Sequence, residues 1–292
     1  MKNIFTCPYC QSPLSIKTSN DFGFAKCNCD VYPIVEGIIF LRKSDRQTNK
    51  SIVSLLRKRK YFRAVWEALA DSSRIHRIVT FSFYLVSKTL GIKIPFRILL
   101  LVLSITGPSR KWFEYLLNRT TRSDFALALK MLGALGEKEV VVDIGCGAGF
   151  LIDKLYETSP KNSGIVGIDK NFLTLLMASS SLSQRPTLIC SNVEVGLPLR
   201  DSAAKRALFL DSFAWVFDKK KAIKEVGRIL AKDGRLYIVN IFPSTSKTKY
   251  WGYGISLDQL RSLLRNYFKN IVSVKISRDK KDPGYSIWAR KK

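Results

Sequence analysis

A chain of 292 residues is long enough for one large or two modest domains, and an apolar fraction of 46% is ample for a globular core, which excludes a chain too polar to fold. Lys and Arg total 49 against 23 acids, a formal charge of +26 with a pI near 10; that balance points to an acidic partner, RNA or an anionic membrane surface, or else to a surface that is merely lysine-rich. The first ten residues hold no apolar core of signal-peptide length, so a cytoplasmic protein is expected, peripheral to the membrane if its basic surface meets one. Six cysteines in a reducing compartment predict metal ligation or packing before disulfides.

Cys7-Pro8-Tyr9-Cys10 opens the chain, and Cys27-Asn28-Cys29 follows after sixteen residues. Cys7, Cys10, Cys27 and Cys29 are four soft ligands at the spacing of a tetrahedral structural zinc, in a piece too small to bury a core of its own. The second pair is C-x-C where C-x-x-C is usual, which bends that knuckle. Val31 to Leu41 reads as two short strands turning at Glu36-Gly37. This Tyr32-Pro33-Ile34 segment, with Gly37-Ile38 beyond it, resembles the small zinc-ribbon proteins that partner methyltransferases. It is also similar to the zinc modules of ribosomal RNA guanine methyltransferases. Either resemblance implies a zinc ribbon over residues 1–41, with a closed site that leaves no position for chemistry.

Residues 42–77 carry eleven Lys or Arg against three acids. The densest run, Arg57-Lys58-Arg59-Lys60, leads into Tyr61, Phe62 and Trp66 at helical spacing, a pattern that suits a phosphate backbone, lipid headgroups or a solvated amphipathic helix. Ile78 to Ser87 and Ile98 to Pro108 are uncharged and apolar but too short to span a bilayer. They read as buried lid helices, an interfacial membrane hairpin or a dimerisation surface. Residues 42–122 are therefore expected to form a basic and apolar helical segment. Resemblance to methyltransferases, in which the segment just before the first strand closes over the ligand, implies Tyr115 and Arg119 as candidates for contacts there, and a helix is expected from about Ser123, with Asp124 in its first turn facing the helix dipole.

Val140-Val141-Val142-Asp143 reads as a buried strand ending on an acid; Gly145, Gly147 and Gly149 then alternate with Ile144, Cys146 and Ala148 before a helical pattern. Glycines there let the backbone turn tightly and approach a ligand, while an acid at the strand tip suits an ammonium or sulfonium cation. A second strand ends at Asp169, placed for ribose hydroxyls. Thr187–Cys190, Arg206–Leu210 and Arg235–Ile241 follow as further strands separated by helices, so a parallel sheet covered on both faces is expected. Ile271–Ile276 and Tyr285–Arg290 read as an edge hairpin, with one strand antiparallel.

The order VVVDIGCGAGF, GIDKN, SNVEVGLPL and then Ala207 to Val239 resembles the class I S-adenosylmethionine-dependent methyltransferases, nearest the group that includes quinone and small-molecule methyltransferases. The resemblance covers roughly residues 126–292. It implies a doubly wound, Rossmann-like, seven-stranded and mostly parallel α/β sheet over 123–292. By the same resemblance, Asp143, Gly145, Gly147 and Gly149 line the methionine end of S-adenosylmethionine, Asp169 holds the ribose, and Asn192 with Val193 meets the adenine. Asn192 stands where the family usually has Asp, and Lys232-Asp233-Gly234-Arg235 where it usually has Pro-Gly-Gly.

Methyl transfer from a sulfonium leaves a neutral sulfide, so alignment and exclusion of water are the main tasks. Asp211, ending the fourth strand, is the candidate proton acceptor. His76, the only histidine, is a weaker one, and Cys146 and Cys190 read as packing. No Asn-Pro-Pro-Tyr or Asp-Pro-Pro-Tyr follows that strand, which argues against base-amino methylases. The acceptor is expected to be a small hydrophobic or lipid-linked molecule. RNA is the alternative on the strength of ribbon and charge, and an inactive cofactor-binding subunit is a third reading.

Overall fold

The computed structural model describes residues 4–42, 46–92, 96–106, 110–160, 163–182, 184–241, 253–276 and 284–292. Four short strands come first: β1 (Ser15–Ser19), β2 (Phe22–Lys26), β3 (Val31–Val35) and β4 (Ile38–Phe40). Glu36 and Gly37, both at positive φ, make the two-residue β3–β4 turn, the conformation whose twist matches its flanking strands.

Five helices follow: α1 (Arg46–Arg57), α2 (Tyr61–Ala68), α3 (Arg74–Leu90), α4 (Phe96–Thr106) and α5 (Arg110–Leu117). A 3-10 turn over Arg119–Thr121 leads into α6 (Ser123–Leu132), which starts where the sequence pattern places it. The Arg57–Lys60 run lies at the α1–α2 junction.

Strands and helices then alternate: β5 (Val140–Ile144), α7 (Phe150–Thr158), β6 (Gly164–Asp169), α8 (Phe172–Ser181), β7 (Thr187–Cys190), β8 (Ala204–Leu210), α9 (Lys219–Ile229), β9 (Leu230–Ile241) and α10 (Leu257–Arg265), closed by the hairpin β10 (Phe268–Ile276) and β11 (Gly284–Lys291). Strand β9 begins five residues before the expected Arg235. The loop that joins β10 to β11 lies outside the described residues.

The sheet runs β1-β2-β3-β4-β7-β6-β5-β8-β9-β11-β10. Strands β7, β6, β5, β8 and β9 are parallel, while β11 runs antiparallel between β9 and β10. The expected count of seven strands is corrected here to eleven. The seven are present, but β4 pairs parallel with β7, Ile38 to Phe40 lying against Leu188 to Cys190, and this carries the four N-terminal strands, the expected ribbon, into the same sheet. The reason is backbone valence: β7 would otherwise be an edge with unpaired N–H and C=O groups. The Leu41 N–H adds a bond to the Cys190 carbonyl at 2.8 Å, and the chain start is tied in where Thr6 N–H reaches Pro198 O at 3.2 Å.

Two apolar cores sandwich the sheet. One joins β4, α1, α2, α4 to α8 and the outward residues of β5, β6 and β7. The other joins the ribbon with α9, α10 and the opposite strand faces. Glu36 links ribbon to helices: its buried carboxylate accepts from Tyr84 Oη at 2.8 Å and pairs with Lys88 Nζ at 2.6 Å, and its carbonyl accepts from Ser179 Oγ at 2.9 Å.

Candidate active site

β5 ends with Asp143 buried at 2% exposure, because its strand lies in mid-sheet between β6 and β8. The following loop turns through Gly145 (φ +77) and Gly147 (φ +54) to Gly149 (φ +80) at the N-terminus of α7. A Cβ on Gly145 would lie 2.3 Å from Ser212 Cβ, whereas one on Gly147 would meet nothing within 4 Å. The first glycine is thus required by the protein itself, and the second faces open space. Gly145 N–H donates to Ile168 O at 2.7 Å and Gly147 N–H to Asp169 Oδ2 at 2.9 Å, so the loop is pinned to the tip of β6.

A cavity of about 350 Å³ opens at these strand ends. Asp143, Gly145, Gly147, Asp169, Asn192, Val193 and Asp211 all line it, which brings together residues from four parallel strands and their loops. Gly149 does not line it; its Cβ position lies 3.1 Å from Ala178 Cβ and from Leu182, so its place is in the helix turn and its packing. Asp169 Oδ1 accepts from Asn171 N–H at 2.8 Å, and Asn192 Oδ1 from Glu194 N–H at 3.0 Å.

One wall comes from the segment before β5. Tyr115 and Arg119 both line the cavity. Arg119 Nη1 lies 2.8 Å from Asp211 Oδ2 and 3.3 Å from Asp124, and Tyr115 donates its hydroxyl to Asp211. Asp124 is buried and also accepts from Arg122 Nε and Asn240 Nδ2, each at 3.1 Å. Asp124 stands in the first turn of α6, as expected, and is also the hub of a buried ion network that reaches from α6 to β9. Asp211 itself has φ +58, an uncommon conformation for a residue with a side chain.

The electrostatics follow from burial. Loss of hydration, with a smaller push from the Asp169 charge, raises the Asp143 carboxyl to about 7, against the pull of Arg119. Desolvation likewise raises Asp211 to about 7, although Arg119 opposes it. Burial and the facing Asp211 push the Tyr115 phenol upward, so it stays a donor. Cys146 lines the cavity, yet burial and the neighbouring acids hold its thiol well above the usual range, as expected of packing. His76 lies on α3, buried edge-on against Phe113 and away from the cavity lining.

Beyond β8 the chain makes an aromatic lip. Trp215 lines the cavity and is exposed; Phe217, 73% exposed, stands edge-on to Tyr253 at 5.2 Å between ring centroids. The alternation of Phe213, Trp215 and Phe217 was in the sequence but had no assigned role.

Residues 142–238 match the family model described as a methyltransferase domain. Among solved structures, this domain is similar to a chain of the complex between the Trm112 methyltransferase activator of Haloferax volcanii and a methyltransferase. There the identity is 16% over 60% of this chain and 92% of that one, with a TM-score of 0.51. It is also similar to an S-adenosylmethionine-dependent methyltransferase of Thermotoga maritima (21% identity, 63% and 96% covered, TM-score 0.48). A third similar structure is phosphoethanolamine N-methyltransferase 2 of Haemonchus contortus (13%, 58% and 52%, 0.48). No curated protein matches the chain by sequence.

The donor set of the cavity is compatible with an amino-acid-bearing cofactor such as S-adenosylmethionine. Asp143 Oδ1 and Arg119 Nη2 are buried and have no hydrogen-bond partner among the described residues, one suited to an ammonium and the other to a carboxylate, the two ends of an amino acid. Gly147 leaves the loop bare on its open side. The residues present would hold the amino-acid end through Asp143 and Arg119, the ribose through Asp169 and the adenine beside Asn192 and Val193.

At the other end of the sheet, the Sγ atoms of Cys7, Cys10, Cys27 and Cys29 lie within 4.8 Å of one another. The C-x-C pair does not prevent convergence: Cys29 Sγ is 3.7 Å from Cys7 Sγ and 3.4 Å from Cys27 Sγ. Buried Tyr32 places its hydroxyl 3.7 Å from Cys7 Sγ and 3.8 Å from Cys29 Sγ.

Proposed function

We propose that this chain is an S-adenosylmethionine-dependent methyltransferase acting on a small hydrophobic or lipid-linked acceptor. The observation that carries the acceptor class is the lip of Trp215, Phe217 and Tyr253 beside a cavity further walled by Leu116, Phe125 and Phe150. Exposed aromatics at a cavity mouth give a flat apolar acceptor a surface to stack on.

The cofactor, when bound, supplies a methyl group on a cationic sulfur whose leaving group is neutral. The chain's own residues align and dry the site. Asp143 holds an ammonium, Arg119 a carboxylate, and Asp211, raised to about 7, is poised to take a proton from an acceptor at neutral pH. Tyr115 and Arg119 orient that carboxylate.

The four thiolates would hold a structural zinc, and Tyr32 would donate its one hydroxyl proton to either Cys7 or Cys29. Because β4 joins β7, metal loss would loosen the methyltransferase sheet as well as the ribbon. A full-chain preparation should contain one zinc per chain by atomic emission. Metal-free protein that melts at the same temperature as the holoprotein would refute the structural role.

RNA is the second reading, favoured by the +26 charge. The test is to incubate the purified protein with methyl-labelled S-adenosylmethionine and, in parallel, total RNA and total lipid extract. Label in the lipid fraction is expected. Label in RNA alone, with binding that falls steeply as salt rises, would replace the acceptor proposed here.

A further inference from the structure

Much of the solvent side of α3 is hydrocarbon, with exposed Ser82 and Thr89 between the apolar residues. Ile75, Ile78, Val86 and Leu90 form one stripe along that helix, and even the least exposed, Val86, is 44% exposed. On α4, which packs against α3, Ile98, Leu101 and Ile105 repeat the stripe at steps of three and four residues, Ile105 reaching 74%. The other sides are occupied: His76 and Thr80 of α3 and Leu100 and Leu103 of α4 are buried. A stripe that faces water on a globular domain is normally polar. Two adjacent apolar ones mark an interaction surface.

Charge selects the occupant. From Ser72 to Phe113 the chain has no Asp or Glu and seven Lys or Arg. Arg74 at the start of α3 and Arg97 near the start of α4 are exposed. A second copy related by a two-fold axis would bring like charges together with no acid in this stretch to pair them, so the surface does not complement itself. Phospholipid headgroups do complement it: apolar stripes enter the acyl boundary while arginines reach phosphates. No helix among the described residues is long and apolar enough to cross a membrane, which is the expected condition for helices that lie in the interface plane.

We propose that α3 and α4 dock the protein on an anionic phospholipid bilayer. This deepens the lipid-linked reading of the acceptor and rests on it for its purpose. Helix α4 packs on α5, and α5 supplies Tyr115 to the cofactor cavity, so the docked face is one helix from the site.

The test is flotation of the full chain with vesicles of phosphatidylcholine alone and of phosphatidylcholine mixed with phosphatidylglycerol. The wild type should float with the mixed vesicles, and less as salt rises. The combined variant Ile78→Ser, Val86→Ser, Leu101→Ser and Ile105→Ser should float about tenfold less or weaker still, with S-adenosylmethionine affinity unchanged. Ile105→Asp alone, which places a like charge against the headgroups, should act in the same direction and guards against misfolding of the combined variant. Wild type that stays unfloated, or variants that float equally, would overturn the docking. A wild-type dimer that the combined variant dissociates, with neither floating, would assign the face to a second copy instead. The acceptor reading fails separately: label in RNA with flotation intact removes the lipid acceptor and leaves the dock.

Discussion

The floor of the cofactor cavity and the α3–α4 face depart in opposite directions from the usual partition of polar and apolar groups. Asp143, Arg119 and most of Asp211 are buried in the cavity wall, with Asp124 buried behind Arg119, and the helical face leaves isoleucines in water. In the first region each departure is compensated within the fold. Arginines, an amide and a phenol satisfy Asp124 and Asp211, and the atoms without a partner among the described residues, Asp143 Oδ1 and Arg119 Nη2, belong to residues that line the cavity. In the second region nothing among the described residues compensates. Buried charge with partners belongs to a site assembled by folding, whereas exposed hydrocarbon without partners belongs to a surface completed by something else.

Changes on the buried side should be costly. Arg119→Met leaves Asp124 and Asp211 short of their shared cation and should destabilise the protein by about 3–5 kcal/mol in chemical denaturation; a loss below about 1 kcal/mol would mean the network is not held by this arginine. Gly145→Ala combines positive φ with a Cβ driven into Ser212 and should cost about 2–4 kcal/mol. If the alanine variant melts normally, the turn has room that the structure does not show.

The protonation of Asp143 sharpens the contrast. Its carboxyl is raised to about 7 in the folded chain from an unfolded value near ~3.9, so the folded state binds more protons between those limits. The stability contribution is complete below about 4 and is lost as pH rises through about 7. Asp143→Asn should therefore flatten the fall in cofactor-free stability across that window. Cofactor affinity should move the opposite way, rising with pH up to about 7 as the carboxylate that meets the ammonium ionises. Affinity that is flat from pH 5 to pH 8 in titration calorimetry would remove Asp143 from that role.

The smallest effect is expected on the exposed side. Ile78→Ser or Ile105→Ser should change stability by no more than about 0.5 kcal/mol, since neither side chain fills a core. A larger loss would show that the stripe is packed against protein, and the comparison between the two regions would collapse.

Much of the chain from β5 onward was legible in one dimension because its signals are local. Val140 to Asp143 announces a buried strand, the alternating glycines a turn that admits a ligand, and Asp169 a second strand tip; the cavity gathers all three. Asp124 was not legible as an ion hub. Its first-turn position holds and is a sufficient local explanation, whereas the partner that adds the second role, Asn240, is 116 residues away. Glu36 shows the same limit, since its turn was readable and its contacts to Tyr84, Lys88 and Ser179 were not.

What the sequence determined by itself was the set of elements, the order of the strand-tip residues and the four cysteines able to converge, because periodicity, turn chemistry and ligand spacing act over a few residues. The tertiary structure alone decided that β4 would complete the edge of β7 and make one sheet of eleven strands, that Arg119 would share the wall of the cavity with Asp143, Asp169 and Asp211, and that the apolar stripes of α3 and α4 would face outward. Backbone edges, desolvation and exposure are properties of packed surfaces, and those exist only once distant segments have met.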